Sequence, residues 1–423
     1  MRVDTKRLEG DGALLAGQAP EAHAPLRVAR QPILDSSLRL LGYELLYRAQ
    51  GEEAAEGHDH GRATSAVVVD GILDVGLLDL VGERLAFLNV SREFLLGVRP
   101  LPLPPRHVVL ELLEDQLVDG ELLHVLDELV QAGFAIALDD FRLTPETEPL
   151  LKYARIVKVD VLEHSEPSLR ALLKRLRAQR PRLQLLAEKV ETRAQFEHCC
   201  QLGFDAFQGY FFARPAHVGR RRLPSHGLSA LSTMGEINAS EDFDELHRII
   251  TRDAGLSMRL LRYANSAYVS LPRRVASVHE GLAWLGTTAV RRFALMVAMA
   301  GVRDAPSELL LTALVRARMC QLLSGAGEGQ AGHTYFTVGL FSVADALADA
   351  PMRDVVEQLP FRSDVAEALL DGRGELGELL AAAIAYERGE FDRAELLAHG
   401  RVELDRAYRE AVEWADRSLG ELL

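Results

Sequence analysis

The chain reads as an α/β protein: a (β/α)8, TIM-like barrel with an irregular first hairpin, followed by an all-α domain. Three observations predict this. Polar residues, most of them acidic, close short apolar runs at Glu44, Asn89, Glu111, Asp139, Asp140, Lys158, Asp160 and Glu188. Strand and helix signals alternate from Leu26 to about Pro215. After Leu228 strand signals nearly vanish and amphipathic helices follow one another. A strand that buries its body and presents a carboxylate at its C-terminal end is how a β/α barrel builds a site.

The strand-like runs are Val28–Leu34, Leu40–Tyr47, Leu85–Val90, His107–Leu112, Phe134–Leu138, Arg155–Val159, Leu183–Ala187 and Asp205–Gly209. Helical patterns lie between most of them, at Ala63–Leu80, Gly120–Ala132, Glu146–Tyr153, Ser168–Ala178 and Thr192–Leu202. That is about eight strands in roughly 190 residues, as a compact barrel requires. The first two strands are separated only by Asp35-Ser36-Ser37, so a hairpin replaces the first crossover. The second half predicts helices at Glu241–Asp253, Ser257–Asn265, Val278–Leu285, Thr288–Ala300, Ser307–Leu323, Val338–Asp349, Met352–Gln358, Ser363–Leu370, Gly374–Arg388 and Leu404–Leu419. The expected organisation is a flexible tail over 1–24, a barrel over 25–217, a linker over 218–225 containing Gly219-Arg220-Arg221-Arg222, and a helical domain over 226–423.

Composition narrows the function classes. At 423 residues two domains are the natural expectation, and 48% hydrophobic residues suffice for folded cores. A formal net charge of -14 disfavours nucleic acid and anionic membrane as partners. No secretory signal opens the chain, and no apolar run reaches the roughly 18 residues of a membrane span. Cys199, Cys200 and Cys320 offer neither a disulfide framework nor zinc spacing and read as packing residues of a cytoplasmic protein. His58-Asp59-His60 reads as part of a solvated acidic loop rather than a metal site. Trp284, Trp414 and the tract Phe336–Phe341 read as core. Several carboxylates with one Lys and one Asn at a single mouth suit divalent-metal and phosphate chemistry.

The barrel motifs resemble the EAL family of bacterial cyclic di-GMP phosphodiesterases. The signature appears as Glu44-Leu45-Leu46-Tyr47-Arg48, with Gln31-Pro32-Ile33, Asn89-Val90-Ser91, Glu111-Leu112-Leu113-Glu114, Asp139-Asp140-Phe141, Lys158-Val159-Asp160, Ala187-Glu188-Lys189-Val190-Glu191 and Gln208-Gly209-Tyr210 with Pro215 following in order. The helical half resembles HDOD domains through Ile249–Asp253, Leu256–Leu261, Ala264–Ala267, Val275–Val278 and Trp284-Leu285-Gly286. The pairing resembles the group that fuses EAL to HDOD.

The resemblance implies that Glu44, Asn89, Glu111 and Asp139 hold one Mg²⁺ or Mn²⁺, with Asp139 bridging to a second ion also bound by Asp140. It implies that Lys158 and Glu188 orient the attacking water and the second metal. Gln31, Arg48, Gln208 and Pro215 are the implied dinucleotide contacts, and Glu191 the implied anchor of the loop after Asp140. Against this pattern the chain departs at Leu45, at Lys189 in place of glycine, and over Arg142–Glu148, where no glycine remains and Pro145 stiffens the turn. None of His226, His247, His279, His333 and His399 is followed by Asp, so the helical domain reads as non-catalytic. The favoured expectation is a cyclic di-GMP receptor of weak or absent activity, whose HDOD helices relay its state to a signalling protein. The alternative expectation is an active phosphodiesterase producing linear pGpG under HDOD regulation. A Thr144 or Glu146 side chain at the second-metal position would favour the receptor.

Overall fold

The computed structural model describes residues 26–49, 76–98, 100–114, 116–211, 225–240, 242–265, 274–300, 306–327, 330–348, 350–400 and 403–422. The His58-Asp59-His60 loop, the arginine-rich linker and Pro215 lie outside them.

Eight strands close into a barrel in sequential order: β1 (Leu26–Asp35), β2 (Leu40–Ala49), β3 (Leu85–Val90), β4 (Val108–Leu112), β5 (Ala135–Leu138), β6 (Ala154–Asp160), β7 (Gln184–Glu188) and β8 (Ala206–Gln208). β1 runs antiparallel to both β2 and β8, and every other neighbour pair is parallel. The expected hairpin is therefore present.

Side chains alternate along a strand, so each barrel strand sorts its residues into an inner and an outer set. The inner set starts as an apolar plug of Ile33, Phe87, Val109, Ala137, Ile156, Leu186 and Ala206. Two residues further toward the mouth, the same faces carry Gln31, Asn89, Glu111, Asp139, Lys158, Glu188 and Gln208. The outer set, including Leu88, Leu110, Ile136, Val157, Leu185 and Phe207, joins the main core with the surrounding helices. Gly209 completes the Gln208-Gly209 corner at φ 139°, where an added Cβ would meet Val190 O at 2.1 Å, so only glycine fits.

Among the described residues the second half is all helical, from Ser225–Ala239 to Leu404–Leu422. Its core is continuous with the barrel's outer core. Two differences from the sequence reading have local causes, and a third concerns packing. Glu146–Tyr153 forms only a 3₁₀ turn at Glu148–Lys152, because Pro149 stands in its first turn and Thr147 Oγ1 donates back to Arg142 O at 2.5 Å. The expected helix Val338–Asp349 is two, Gln330–Phe341 and Ala344–Ala348. Ser342 Oγ donates to Gly339 O at 2.7 Å just past the end of the first. Trp284 is not core but 45% exposed, whereas Trp414 packs edge-on against Phe336 and Phe336–Phe341 is largely buried.

The helices Ser307–Ser324, Gly374–Glu387 and Leu404–Leu422 lie against the outside of the β1–β2 hairpin. The contact is polar and buried. Arg30 of β1 forks onto Asp416 at 3.0 and 3.1 Å and donates to Leu80 O at 2.7 Å. Its backbone N–H, beyond the reach of the short β8 pairing, donates to the Tyr408 hydroxyl at 3.2 Å. Tyr43 of β2 donates to Glu308 Oε2 at 3.1 Å under the Arg30 guanidinium, and Arg316 holds Glu387 at 2.7 and 2.9 Å. A cavity of about 20 Å³ between them has room for about one water.

Burial pushes the Glu308 carboxyl up to about 7; Asp416 and Glu387 add to the rise, while Arg30 and the Tyr43 hydrogen bond oppose it. An acid raised in the fold costs stability as pH climbs from its unfolded value toward its folded one. We therefore expect Glu308→Gln, which still accepts from Tyr43, to stabilise the protein by up to about 3 kcal/mol at pH 8. The gain should vanish near pH 4.5, as read by urea denaturation across that range.

Candidate active site at the barrel mouth

The inner-face polar residues converge on one buried ammonium. Lys158, 1% exposed, reaches Asp139 Oδ1 at 2.7 Å, Glu111 Oε1 and Glu188 Oε1 at 3.0 Å, and Glu44 Oε2 at 3.1 Å. Four carboxylates from four different strands or strand ends thus share one cation. Register explains the convergence. Gln31 pairs with Glu44, Asn89 with Glu111, and Asp160 with Glu188, so functional side chains stand level around the mouth. Asn89 Nδ2 donates to Glu44 Oε1 at 3.0 Å, and Gln208 Nε2 donates to Glu44 Oε2 at 2.6 Å and Gln31 Oε1 at 2.9 Å. The Tyr47 hydroxyl donates to Asn89 O, tying the ends of β2 and β3 together.

Electrostatics divide the carboxylates. Burial works to raise Glu44, but Lys158, Gln208 and Asn89 outweigh it and hold Glu44 below its ordinary value. Burial, with Glu44 next in weight, drives Glu111 well above the ordinary range. Burial lifts Glu188 to about 8, with Asp139, Glu44 and Asp140 adding to the rise against the opposing Lys158. Burial and Asp139 raise Asp140. The surrounding carboxylates raise Lys158 well above its ordinary value despite the burial that opposes them.

Two residues at the mouth hold left-handed backbone, Asp140 at φ 40° and Lys189 at φ 54°. Such a conformation costs a residue with a Cβ on the order of 1 kcal/mol. Asp tolerates it better than Lys does. Lys189 Nζ pairs with Asp160 Oδ2 at 2.6 Å, and Asp160 Oδ1 accepts Leu162 N–H at 2.8 Å.

A model of the EAL domain matches residues 90–215, and a model of the HDOD domain matches residues 230–347. Cyclic di-GMP phosphodiesterase CdgJ of Vibrio cholerae is 35% identical over 373 residues, spanning 87% of this chain and 86% of that protein. The chain belongs to the EAL–HDOD group. YuxH of Bacillus subtilis is 29% identical over 399 residues, 92% of this chain and 97% of that one. Among solved structures, EAL enzyme Bd1971 with cAMP and cyclic di-GMP bound is 18% identical at a TM-score of 0.37, covering 45% of this chain and 62% of its own. A standalone EAL protein of Vibrio cholerae O395 with cyclic di-GMP bound is 22% identical at a TM-score of 0.34, covering 47% and 94%.

The EAL signature residues do not all sit together. Glu44, Asn89, Glu111, Asp139, Lys158, Glu188, Gln31 and Gln208 line one mouth, with Asp140 beside it. Arg48, on the same face of β2 as Glu44, is drawn instead to Asp392 of the helical half at 2.7 Å. Glu191 is exposed, and its backbone N–H donates to Gln195 Oε1 at 2.9 Å in the cap of the helix Arg193–Leu202. Thr144 and Glu146 are both exposed, and Thr144 Oγ1 faces Thr147 Oγ1 at 3.3 Å within the loop. Arg142 pairs with Glu163 at 2.8 Å, and the loop roofs a cavity of about 60 Å³ that reaches Asp139. The sequence reading assigned no role to Tyr47 or Asp160. Asp160 carried a usable signal, because it shares the inward parity of Lys158 on β6.

Among the described residues, no three His, Cys, Asp or Glu side chains already form a metal cage. Lys158 accounts for this, since its ammonium draws the carboxylates onto itself. Yet Asn89 Oδ1, Glu111 Oε2, Asp140 Oδ1 and Glu188 Oε2 are buried with no hydrogen-bond donor. All are hard oxygen acceptors, the donor set a divalent cation such as Mg²⁺ takes. The residues present fit such an ion. Removing the ammonium alone leaves the carboxylates uncompensated. Lys158→Met should cost about 3–5 kcal/mol in metal-free protein at pH 8. At pH 5 the cost should shrink, because Glu188, lifted to about 8, is then protonated. Added Mg²⁺ or Mn²⁺ should restore part of the loss in the same denaturation measurement.

Proposed function

We propose that the barrel is a divalent-metal-dependent cyclic di-GMP phosphodiesterase producing linear pGpG. The observation that carries this reading is the convergence of Glu44, Glu111, Asp139 and Glu188 on Lys158 within 3.1 Å, with Asn89 bonded to Glu44. The name and extent of the CdgJ match support it. Glu44, Asn89, Glu111 and Asp139 would hold Mg²⁺ or Mn²⁺, which supplies a Lewis acid and an acidified water. Lys158 and Glu188 would orient the water that attacks phosphorus. As the new P–O bond forms, the bond to the ribose 3′ oxygen breaks, and that oxygen takes a proton. Gln31 and Gln208 line the mouth where the dinucleotide lies.

The loop after Asp140 gives binding alone no support, because neither Thr144 nor Glu146 covers Asp140. Both are exposed, and Thr144 is engaged within its own loop. The helical half supports a regulatory role. Asp392 holds Arg48, Arg388 stacks over the Tyr210 ring at 4.6 Å, and the Tyr210 hydroxyl faces Glu387 O at 3.4 Å. The mouth and the helices thereby share residues through which occupancy can be passed on. Exposed Met258 and Trp284, on helices that pack together, suit contact with a protein partner.

Chromatography of products with Mg²⁺ or Mn²⁺ tests the reading. The native chain should release pGpG, and Glu44→Ala should slow release at least about 100-fold. An intact dinucleotide after incubation with either ion would overturn hydrolysis, and calorimetry in Ca²⁺ would then decide whether the mouth binds it. Asp392→Asn removes the carboxylate that draws Arg48 toward the helical half, so affinity for cyclic di-GMP should tighten roughly two- to fivefold, the worth of a partly exposed pair. Unchanged affinity would disconnect Arg48 from the ligand.

A further inference from the structure

We infer that Lys189 is a resident cation at the outer half of the mouth, standing in for a second divalent ion, so that the site takes a single metal. The inference rests on the metal-dependent reading above and specifies its stoichiometry.

Six carboxylates line the mouth: Glu44, Glu111, Asp139, Asp140, Asp160 and Glu188. Lys158 contacts four of them and leaves Asp140 and Asp160 to the outer side. Lys189 Nζ meets Asp160 Oδ2 at 2.6 Å, and Asp140 and Glu188 lie close enough to act on the same ammonium. Asp160 stands level with Glu188 across the β6–β7 pair, and Lys189 is the next residue along the chain. The outer carboxylates therefore meet a positive charge carried by the chain itself.

The backbone points the same way. Lys189 holds φ 54°, where glycine rests without strain and a side chain does not. A lysine there is an unfavourable backbone choice, and its half-exposed ion pair with Asp160 offsets only part of that cost. An ammonium neutralises charge and donates hydrogen bonds, but it offers no vacant orbital to a water oxygen. Lys189 would thus stabilise charge on the outer side while leaving ionisation of water to the single ion held by Glu44, Asn89, Glu111 and Asp139.

The test counts Mn²⁺ per chain in the intact protein by equilibrium titration, with electron paramagnetic resonance to detect a coupled pair. Wild type should bind one ion with an uncoupled spectrum. Lys189→Gly and Lys189→Gln should each bind two, with the exchange-coupled signal of ions about 3.5–4 Å apart. Lys189→Arg should remain at one. Circular dichroism confirms folding, and the glycine variant relieves backbone strain rather than adding it. Two ions in wild type, or one in both Lys189→Gly and Lys189→Gln, overturns the role of Lys189 and leaves the metal-dependent reading standing. No ion in wild type or in any variant overturns that reading and the inference with it.

Discussion

A single buried ammonium, Lys158, sets the geometry of the mouth. Four carboxylates held this close would repel one another strongly in a desolvated site. One cation at their centre lets Glu44 stay ionised and lets Glu111, Asp139 and Glu188 point inward rather than outward. The barrel below makes this possible. Its apolar plug from Ile33 to Ala206 keeps water out of the lower half, so the polar layer above meets solvent on one side only. The same alternation that fills the plug aims the next inward residue of each strand at Lys158.

The first hairpin is the second organising constraint. Because β1 and β2 are joined by a short turn, no crossover helix covers the outer face of that pair. The C-terminal helices supply the covering layer, and they do so with Arg30, Tyr43, Glu308 and Asp416 as well as with apolar packing. Burying this network costs desolvation, and it fixes one docking geometry in return. That geometry also brings Asp392 to Arg48 and Glu387 to Tyr210, at the rim of the candidate site.

Much of this was legible in the sequence for a physical reason. Strand parity is a local property, so the inward residues Glu44, Asn89, Glu111, Lys158 and Glu188 announced themselves as polar ends of apolar runs. The barrel class followed from the alternation of periods, and the helical class from its loss after Leu228. Local hydrogen bonding obscured other elements: Thr147 and Ser342 turn back on their own backbones, which shortened one expected helix and split another. Trp284 read as core because composition cannot say which face of a helix is covered.

The sequence by itself determined which side chains share the inner face of the barrel, because a period of two needs no knowledge of the fold. It also determined that the chain joins an α/β half to a helical half. Only the tertiary structure decided what those side chains meet. Arg48 belongs by motif with the mouth, yet Asp392, more than three hundred residues away, holds it in the folded chain. Lys189 stands out in sequence only as a lysine where the resemblance has glycine, yet in the fold it holds φ 54° and pairs with the buried Asp160. Contacts between charges depend on distance and burial, and both exist only once the barrel has closed and the helices have docked against its first hairpin.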